Sequence, residues 1–389
     1  MWSKKLLVSV VGAAALLAAC GGGGDGNQAP RVAITKVKVM GDSLSDSGTF
    51  DGLPAGSGFG RIFSVQGSAS KIWPEITASA FGVNALCSFF KFNGTTFVAN
   101  PTANCTNYAI GGGRINNALQ TGGNASPMAV GTQLATAAAA GNHTASDLLL
   151  IDGGGNDAAD LVTAYLTASA DKGVAFATLL GTLSITPPAS AAEFPAKGTA
   201  YMVALAQAFF NSIKTQALDK GATRVAVINL PAITLTPRFQ AVLSGVEAAA
   251  TATAGAAAGA TARAQTEALI AGWIKAYNDA LQTAFAGNRS VVIVDLNGTM
   301  YDQIANPAQY GLTNVKTPAC PVTGKGSDGL PSYNFETCTS TALSALPNAA
   351  NNPNWWTNYA FSDGFHPTPY AHKLLAQLVS RSLIAAGWL

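Results

Sequence analysis

Four short runs of apolar, largely β-branched residues stand out along the chain, at residues 32–40, 148–152, 224–230 and 290–296. Each run is continuously apolar rather than alternating between apolar and polar positions. That pattern is typical of strands in a parallel sheet whose two faces are both covered by helices. The four runs therefore predict four buried parallel strands.

Helical patterns lie between and after these strands, at residues 69–81, 199–220, 263–285 and 367–386. The last has Pro367 at its start and Gly387 just beyond its end, which are common boundary residues. Strands alternating with helices predict an α/β fold, here a three-layer α/β/α sandwich on a mostly parallel, five-stranded sheet. The chain is longer than such a core needs, so we expect loop insertions near residues 50–105, 163–197 and 316–358.

The amino terminus predicts export. Residues 1–19 carry Lys4 and Lys5 ahead of an apolar stretch too short to cross a bilayer, as in a secretory signal peptide. The stretch ends in Leu-Ala-Ala-Cys, which resembles the bacterial lipobox, so we expect Cys20 to be lipidated. An ordinary signal peptide with a cysteine near its cleavage site is the alternative. Gly21 resembles the residue found there in lipoproteins of the Gram-negative outer membrane, which is therefore the expected location.

Residues 20–31 are rich in glycine and have the composition of a flexible tether, and residues 32–389 are expected to form a single domain. Of the whole chain, 48% is hydrophobic and only 11% is charged, against about 25% charged in an average soluble domain. Outside the amino terminus, however, no apolar run is long enough for a membrane span, so a multi-span protein is excluded. The 22 basic and 20 acidic residues also leave no basic excess for nucleic acid.

The cysteines support export as well. With Cys20 assigned to a lipid, Cys87, Cys105, Cys320 and Cys338 remain, an even number that fits two disulfides in an oxidising compartment. Three pairings are possible. The local pairing, Cys87 with Cys105 and Cys320 with Cys338, closes two loops of equal span, each contributing about 3 kcal/mol. No metal site is expected, because the chain has only three histidines and no Cys-x-x-Cys.

Two glycine-containing motifs follow apolar runs. Ser43 lies in Gly-Asp-Ser-Leu just after the first predicted strand, the edge at which open α/β sheets bind ligands. Three consecutive glycines end the run from Asn107 to Gly113, and their backbone N–H groups could bind a developing oxyanion. Taken singly, the first motif is also a good turn and the second a flexible loop.

Two further motifs carry side chains suited to catalysis. Asn156 follows the second predicted strand, where its amide could donate to a negative oxygen or simply cap a helix. Asp363 and His366 are three residues apart, so the carboxylate could orient the imidazole for proton transfer. His143 and His372 lack such a neighbour and are predicted to be structural.

Together these motifs resemble the four blocks of the SGNH (GDSL) hydrolases, in the same chain order. The resemblance runs from about Val39 to His372, and Asn229-Leu230-Pro231 looks like a segment of the bacterial GDSL lipase/esterase branch. A third glycine in Gly153-Gly154-Gly155 departs from the usual third block but leaves Gly-x-Asn-Asp intact. The absence of a Gly-x-Ser-x-Gly at a strand-to-helix turn argues against an α/β-hydrolase.

The resemblance implies a flavodoxin-like fold and a serine esterase or lipase that acts on small-molecule or lipid acyl esters. It makes Ser43 the nucleophile, His366 the general base and acid, and Asp363 the carboxylate that orients it. The oxyanion hole would consist of the backbone N–H groups of Ser43 and Gly112 and the side chain of Asn156, with Gly112 chosen over Gly111 by its distance from Asn107. No cofactor and no obligate protein partner are expected.

Two other functions remain open: a carbohydrate O-deacetylase of the same fold, and a non-enzymatic surface lipoprotein on a hydrolase scaffold. Four aromatic residues shortly before the histidine motif could line an acyl or sugar site or could simply pack inside an insertion. They are Trp355, Trp356, Tyr359 and Phe361.

Overall fold

The computed structural model describes residues 33–346, 349 and 351–389, of which residues 34–389 form one unit. The predicted signal peptide 1–19, the lipidated Cys20 and the tether 20–31 lie outside the described residues and stay predictions. The strands found in the described part are β1 (Lys36–Met40), β2 (Phe90–Phe92), β3 (Phe97–Ala99), β4 (Asp147–Ile151), β5 (Val225–Ile228), β6 (Val291–Val294), β7 (Gly324–Lys325) and β8 (Pro331–Ser332).

The helices in the same part of the chain include all four that the sequence predicts. They are α1 (Trp73–Ala80), α2 (Val130–Ala139), α3 (Gly155–Asp171), α4 (Val174–Gly181), α5 (Phe194–Gln216), α6 (Pro237–Ala254), α7 (Ala256–Ala284), α8 (Leu296–Ala305), α9 (Ser340–Ser344) and α10 (Pro369–Ala385). Within the residues described, no helix is long and apolar enough to cross a membrane.

A parallel sheet with the strand order β1-β4-β5-β6 forms the middle layer. Every residue of β4 is buried, with Leu149 and Ile151 in one apolar cluster and Leu148 and Leu150 in another. Helices α2, α3, α5 and α7 contribute to the first cluster, and α1 and α10 to the second. The α/β/α sandwich is therefore confirmed, and its strands coincide with the four apolar runs.

The expectation of five strands is wrong by one within the described residues. A segment beside β1 holds the fifth position: Val39 N donates to Thr106 O (3.0 Å) and Tyr108 N donates to Val39 O (2.7 Å). These bonds form a single parallel bridge between Val39 and Asn107. The ladder is interrupted at the next position, because Gly41 N donates to Gln133 Oε1 (2.7 Å) and not to this segment. Ile110 N still donates to Gly41 O (3.2 Å), but no fifth strand develops.

Two disulfides join Cys87 to Cys105 and Cys320 to Cys338, which confirms the local pairing. The first closes the insertion that contains the β2–β3 hairpin. The second closes the insertion that contains the β7–β8 hairpin, and Cys320 N also donates to Ser362 O (2.7 Å). The second bridge is thereby tied to the turn that carries Asp363 and His366.

Candidate active site

Ser43 lies three residues beyond the carboxyl end of β1, in a turn that Gly41 makes possible. A Cβ atom on Gly41 would lie 1.8 Å from Asp152 Oδ1, so no larger residue fits. Gln133 on α2 secures both polar groups of this glycine, since Gly41 N donates to Gln133 Oε1 (2.7 Å) and Gln133 Nε2 donates to Gly41 O (3.0 Å). These contacts fix the direction in which the chain leaves the sheet and presents Ser43.

A chain of hydrogen bonds joins the three residues of the predicted triad. His366 Nε2 lies 2.8 Å from Ser43 Oγ, and His366 Nδ1 lies 2.9 Å from Asp363 Oδ2. Ser43 and Asp363 are each 8% exposed, so the chain is largely shielded while the serine still reaches the cleft. In this arrangement one imidazole nitrogen faces a hydroxyl and the other faces a carboxylate, which is the geometry required for general-base activation of a serine.

The Asp363 carboxylate also folds the turn that carries the histidine. Its Oδ1 accepts hydrogen bonds from Phe365 N (2.8 Å) and His366 N (2.6 Å). Across the same turn, Ser362 N donates to His366 O (2.7 Å). The imidazole therefore has little freedom to rotate away from Ser43.

The electrostatics of the pair favour a charged histidine. Burial lowers the pKa of His366, but the Asp363 carboxylate, its hydrogen bond and the nearby Asp42 outweigh burial and leave the pKa raised above its ordinary value. Burial likewise acts to raise the pKa of Asp363, yet His366 and the two backbone N–H donors leave it lowered. The site thus stabilises an imidazolium facing a carboxylate, the state that follows proton transfer from Ser43.

The glycine loop lies against the serine loop and holds the candidate oxyanion donors. Gly112 has a left-handed φ of +79°, and Arg114 Nη1 donates to its carbonyl oxygen (2.8 Å). Asn156 Nδ2 donates to Gly113 O (2.9 Å), which uses one of its two amide hydrogens. Within the described residues, the backbone N–H groups of Ser43 and Gly112 have no hydrogen-bond acceptor. These groups are therefore free to bind a developing negative charge.

Ser43, His366, Asp363 and Asn156 line one cleft of about 350 Å³. Gly112 lines a neighbouring groove rather than this cleft, so the predicted oxyanion glycine is at the border between the two. Four apolar residues form a wall that the cleft shares with a small, mostly apolar cavity of about 80 Å³. These four are Leu44, Pro231, Leu296 and Phe365.

A pair of buried carboxyl groups beside Ser43 was missed by sequence reasoning. Asp42 N lies 3.5 Å from Asp152 Oδ2, and Ser45 Oγ donates to Asp152 Oδ1. Burial raises the pKa of Asp42, and burial together with the Asp42 charge raises the pKa of Asp152 well above its ordinary range. The sequence does contain a signal for this pair, because Asp42 follows one predicted strand and Asp152 ends another. These two strands are neighbours in the sheet, and Met40 pairs with Ile151 in their register.

The other candidates are placed away from the triad. His143 Nδ1 lies 2.9 Å from Lys38 Nζ, and burial lowers the pKa of His372 to about 3, so neither resembles His366. Trp355, Trp356 and Tyr359 pack in or against a satellite core around the Cys320–Cys338 disulfide. Phe361 lines the small apolar cavity instead. Among the described residues, no cluster of His, Cys, Asp or Glu is arranged to hold a metal ion.

The α/β/α fold with its parallel sheet is that of one class of hydrolase, the SGNH hydrolases. Residues 37–379 match the family described as GDSL-like Lipase/Acylhydrolase, and the chain belongs to that family. It is similar to "Lipase 1" of Photorhabdus luminescens, with 25% identity over 366 residues that cover 89% of this chain and 49% of the relative. The chain therefore spans about half the length of this curated relative.

Proposed function

We propose that the protein is a serine esterase that hydrolyses carboxylic acyl esters through a covalent acyl-enzyme. The observation that carries this proposal is the hydrogen-bonded chain from Ser43 through His366 to Asp363. Family membership supports ester hydrolysis in general, and the arrangement of side chains supports the particular mechanism.

In the first half of the reaction, His366 Nε2 takes the proton from Ser43 Oγ as the oxygen attacks the ester carbonyl carbon. The C=O electrons move to the oxygen, and the resulting oxyanion accepts hydrogen bonds from the N–H groups of Ser43 and Gly112 and from the second amide hydrogen of Asn156. Collapse of this intermediate breaks the bond to the alcohol oxygen, which leaves with the proton from His366.

In the second half, His366 removes a proton from water, and the hydroxide oxygen attacks the acyl-enzyme carbonyl. The tetrahedral intermediate again uses the same donors. Its collapse releases the carboxylic acid and returns the proton to Ser43 Oγ. The raised pKa of His366 supports both steps, because each one places a positive charge on the imidazole.

The cleft supports an acyl ester of a small molecule or lipid as the substrate. Leu44, Pro231, Leu296 and Phe365 form an apolar wall of the cleft, and charged and polar side chains line most of the rest of it. The carbohydrate alternative has less support, because Trp355, Trp356 and Tyr359 pack around a disulfide and offer no open aromatic platform in the cleft.

A fluorophosphonate probe tests the mechanism and the non-enzymatic alternative together. We expect the wild type to be labelled and to hydrolyse p-nitrophenyl butyrate, and Ser43→Ala to lose both properties. Ser190→Ala, which alters an exposed serine elsewhere, is the control and should behave as the wild type. A wild type that resists the probe, or an active Ser43→Ala variant, would contradict the proposal.

We further propose that the protein is exported and anchored in the outer membrane through a lipid on Cys20. The lipobox-like sequence supports this location. Metabolic labelling with a fatty-acid analogue should mark the wild type in the membrane fraction, whereas Cys20→Ser should be unlabelled. A labelled Cys20→Ser variant would contradict the lipid anchor.

A further inference from the structure

An apolar groove lies next to the catalytic cleft, and five phenylalanines line it. We call it the phenylalanine groove; its aromatic members are Phe50, Phe59, Phe63, Phe92 and Phe97. Its volume is about 760 Å³, and no charged side chain is among its lining residues in the described part of the chain. An occupant of this groove must therefore be apolar and uncharged.

The aromatic wall is assembled before any ligand binds. Phe50 and Phe59 stack with ring centroids 4.7 Å apart, and Phe92 and Phe97 lie 4.9 Å apart. Phe50 is only 8% exposed, whereas Phe59 is 40% exposed. The groove thus combines a buried, rigid base with an aromatic edge that remains open to solvent, and an apolar ligand would cover that edge.

Two contacts connect the groove to the reacting groups. The Phe63 ring lies 5.4 Å from the His366 imidazole, and it packs so closely on Gly111 that a Cβ atom there would lie 2.2 Å from it. Gly112, the predicted oxyanion donor, lines the same groove. The phenylalanine groove therefore begins between the general base and the oxyanion loop.

The positions of these two contacts indicate which part of an ester would enter. In the tetrahedral intermediate, the oxyanion faces Gly112 N–H and the leaving oxygen faces His366 Nε2, which must protonate it. The carbon chain on the leaving oxygen consequently starts beside His366 and Phe63. The acyl chain, on the other side of the reacting carbon, would then extend into the cleft, which Leu44 and Asn156 line.

We infer that the phenylalanine groove binds an aliphatic alcohol moiety of the substrate and selects esters of longer alcohols. This inference rests on the proposed esterase function, because it requires His366 to protonate the leaving oxygen. It assigns the specificity for the alcohol to residues 50–97, separately from the residues that bind the acyl group.

Two matched ester series test the inference. The first keeps the acetyl group and lengthens the alcohol from ethyl to butyl to hexyl; the second keeps the ethyl group and lengthens the acid over the same range. For the wild type, we expect kcat/KM to rise in the alcohol series by about three- to fourfold for each methylene group that the groove buries.

Phe59→Ala should flatten the dependence of kcat/KM on alcohol length while leaving its dependence on acyl length as in the wild type. Thr96→Trp is a second variant, because it fills the groove from an exposed position and should have the same effect. Tyr301→Ala removes an aromatic residue of similar exposure, 44%, outside the groove and should retain the dependence.

Unchanged slopes in both groove variants would overturn the inference, as would flattening of the acyl series in place of the alcohol series. These results are distinct from failure of the proposed function. In that case the wild type hydrolyses no ester in either series and resists the fluorophosphonate, which overturns the inference as well.

Discussion

His366 Nε2 lies 2.8 Å from Ser43 Oγ, although 323 residues separate the two in the chain. Ser43 is positioned by the end of β1 and His366 by a turn before α10, so their contact depends on the packing of α10 against the sheet. The same imidazole is held on its other side by Asp363 at 2.9 Å.

The pH profile should reflect the raised pKa of His366. Only the neutral imidazole accepts the serine proton, so kcat/KM should fall as the pH drops through a midpoint above the ordinary value of 6.5. Asp363→Asn removes the carboxylate, so the midpoint should move to lower pH while kcat falls by up to about 10⁴-fold. A pH–rate profile of both proteins measures these changes. A midpoint that Asp363→Asn leaves in place would contradict the assigned role of Asp363.

The contributions of His366 and Asp363 to the stability of the fold should change with pH in opposite directions. Because the folded pKa of His366 is raised, its stabilising contribution is complete below the unfolded pKa and is lost as the pH rises through the folded value. The lowered pKa of Asp363 stabilises the fold above its unfolded pKa and ceases to do so as the pH falls through the folded value. Thermal unfolding of His366→Ala and the wild type between pH values of about 5 and 9 should therefore converge towards the alkaline end.

Asn156→Ala should reduce kcat by about 10²–10³-fold, because one donor to the oxyanion is lost. The rate of labelling by a fluorophosphonate should fall in parallel, since the phosphoryl oxygen of the probe accepts hydrogen bonds from the same donors. Asn306→Ala is the control, because it removes an exposed asparagine whose partner is Asp302. Equal kcat values for Asn156→Ala and the wild type would show that Asn156 is not a donor to the oxyanion.

Asp152→Asn tests the buried acid pair. Because the folded pKa of Asp152 is raised, this acid destabilises the fold increasingly as the pH rises from its unfolded pKa towards its folded one. The neutral amide removes this penalty, and Tm of Asp152→Asn relative to the wild type should increase with pH across that window. Asp279→Asn, at an exposed site, should show no such trend. A constant difference in Tm for Asp152→Asn would show that the acid is charged in the fold.

We expect both disulfides to stabilise the fold to a similar extent, but the Cys320–Cys338 disulfide to affect activity more than the Cys87–Cys105 disulfide. Both bridges span 18 residues, so replacing either pair by serine should cost a similar amount, about 3 kcal/mol. The loop closed by Cys320 and Cys338 carries Phe335, whose ring lies 5.5 Å from the His366 imidazole. Loss of this disulfide should therefore also lower kcat/KM for ethyl acetate. Denaturant unfolding and ester kinetics on Cys320→Ser/Cys338→Ser and Cys87→Ser/Cys105→Ser test this. An equal fall in kcat/KM for the two double variants would contradict a specific effect of the Cys320–Cys338 disulfide on the site.

Much of the fold and of the candidate site was predictable because its signals are local. Buried parallel strands are continuous apolar runs, and Asp363 and His366 lie within one turn of the chain. The absence of a fifth strand was not predictable in the same way, since it depends on Gln133 of α2, whose side chain accepts from the Gly41 N–H that would otherwise continue the ladder. Ser43 and His366 are distant in the chain, and they were predicted as partners because each belongs to one of the four motifs.

The relationships that sequence reasoning missed are contacts that no motif and no periodic pattern indicates. The proximity of Asp42 and Asp152 follows from the pairing of β1 with β4, and neither acid belongs to a motif that indicates the other. The phenylalanine groove is built from irregular loops, where no periodicity marks which aromatic faces which. Phe50 and Phe59, for example, stack across a turn-rich segment without regular structure.

The carboxylate of Asp363 serves two backbone N–H groups and the imidazole at once. One carboxylate therefore both folds this turn and orients the imidazole. Rotation of the His366 ring away from Ser43 would break its bond to Asp363 but none of the backbone bonds of the turn. The turn would keep its fold, and the buried carboxylate would lose its imidazole partner, which disfavours such a resting state.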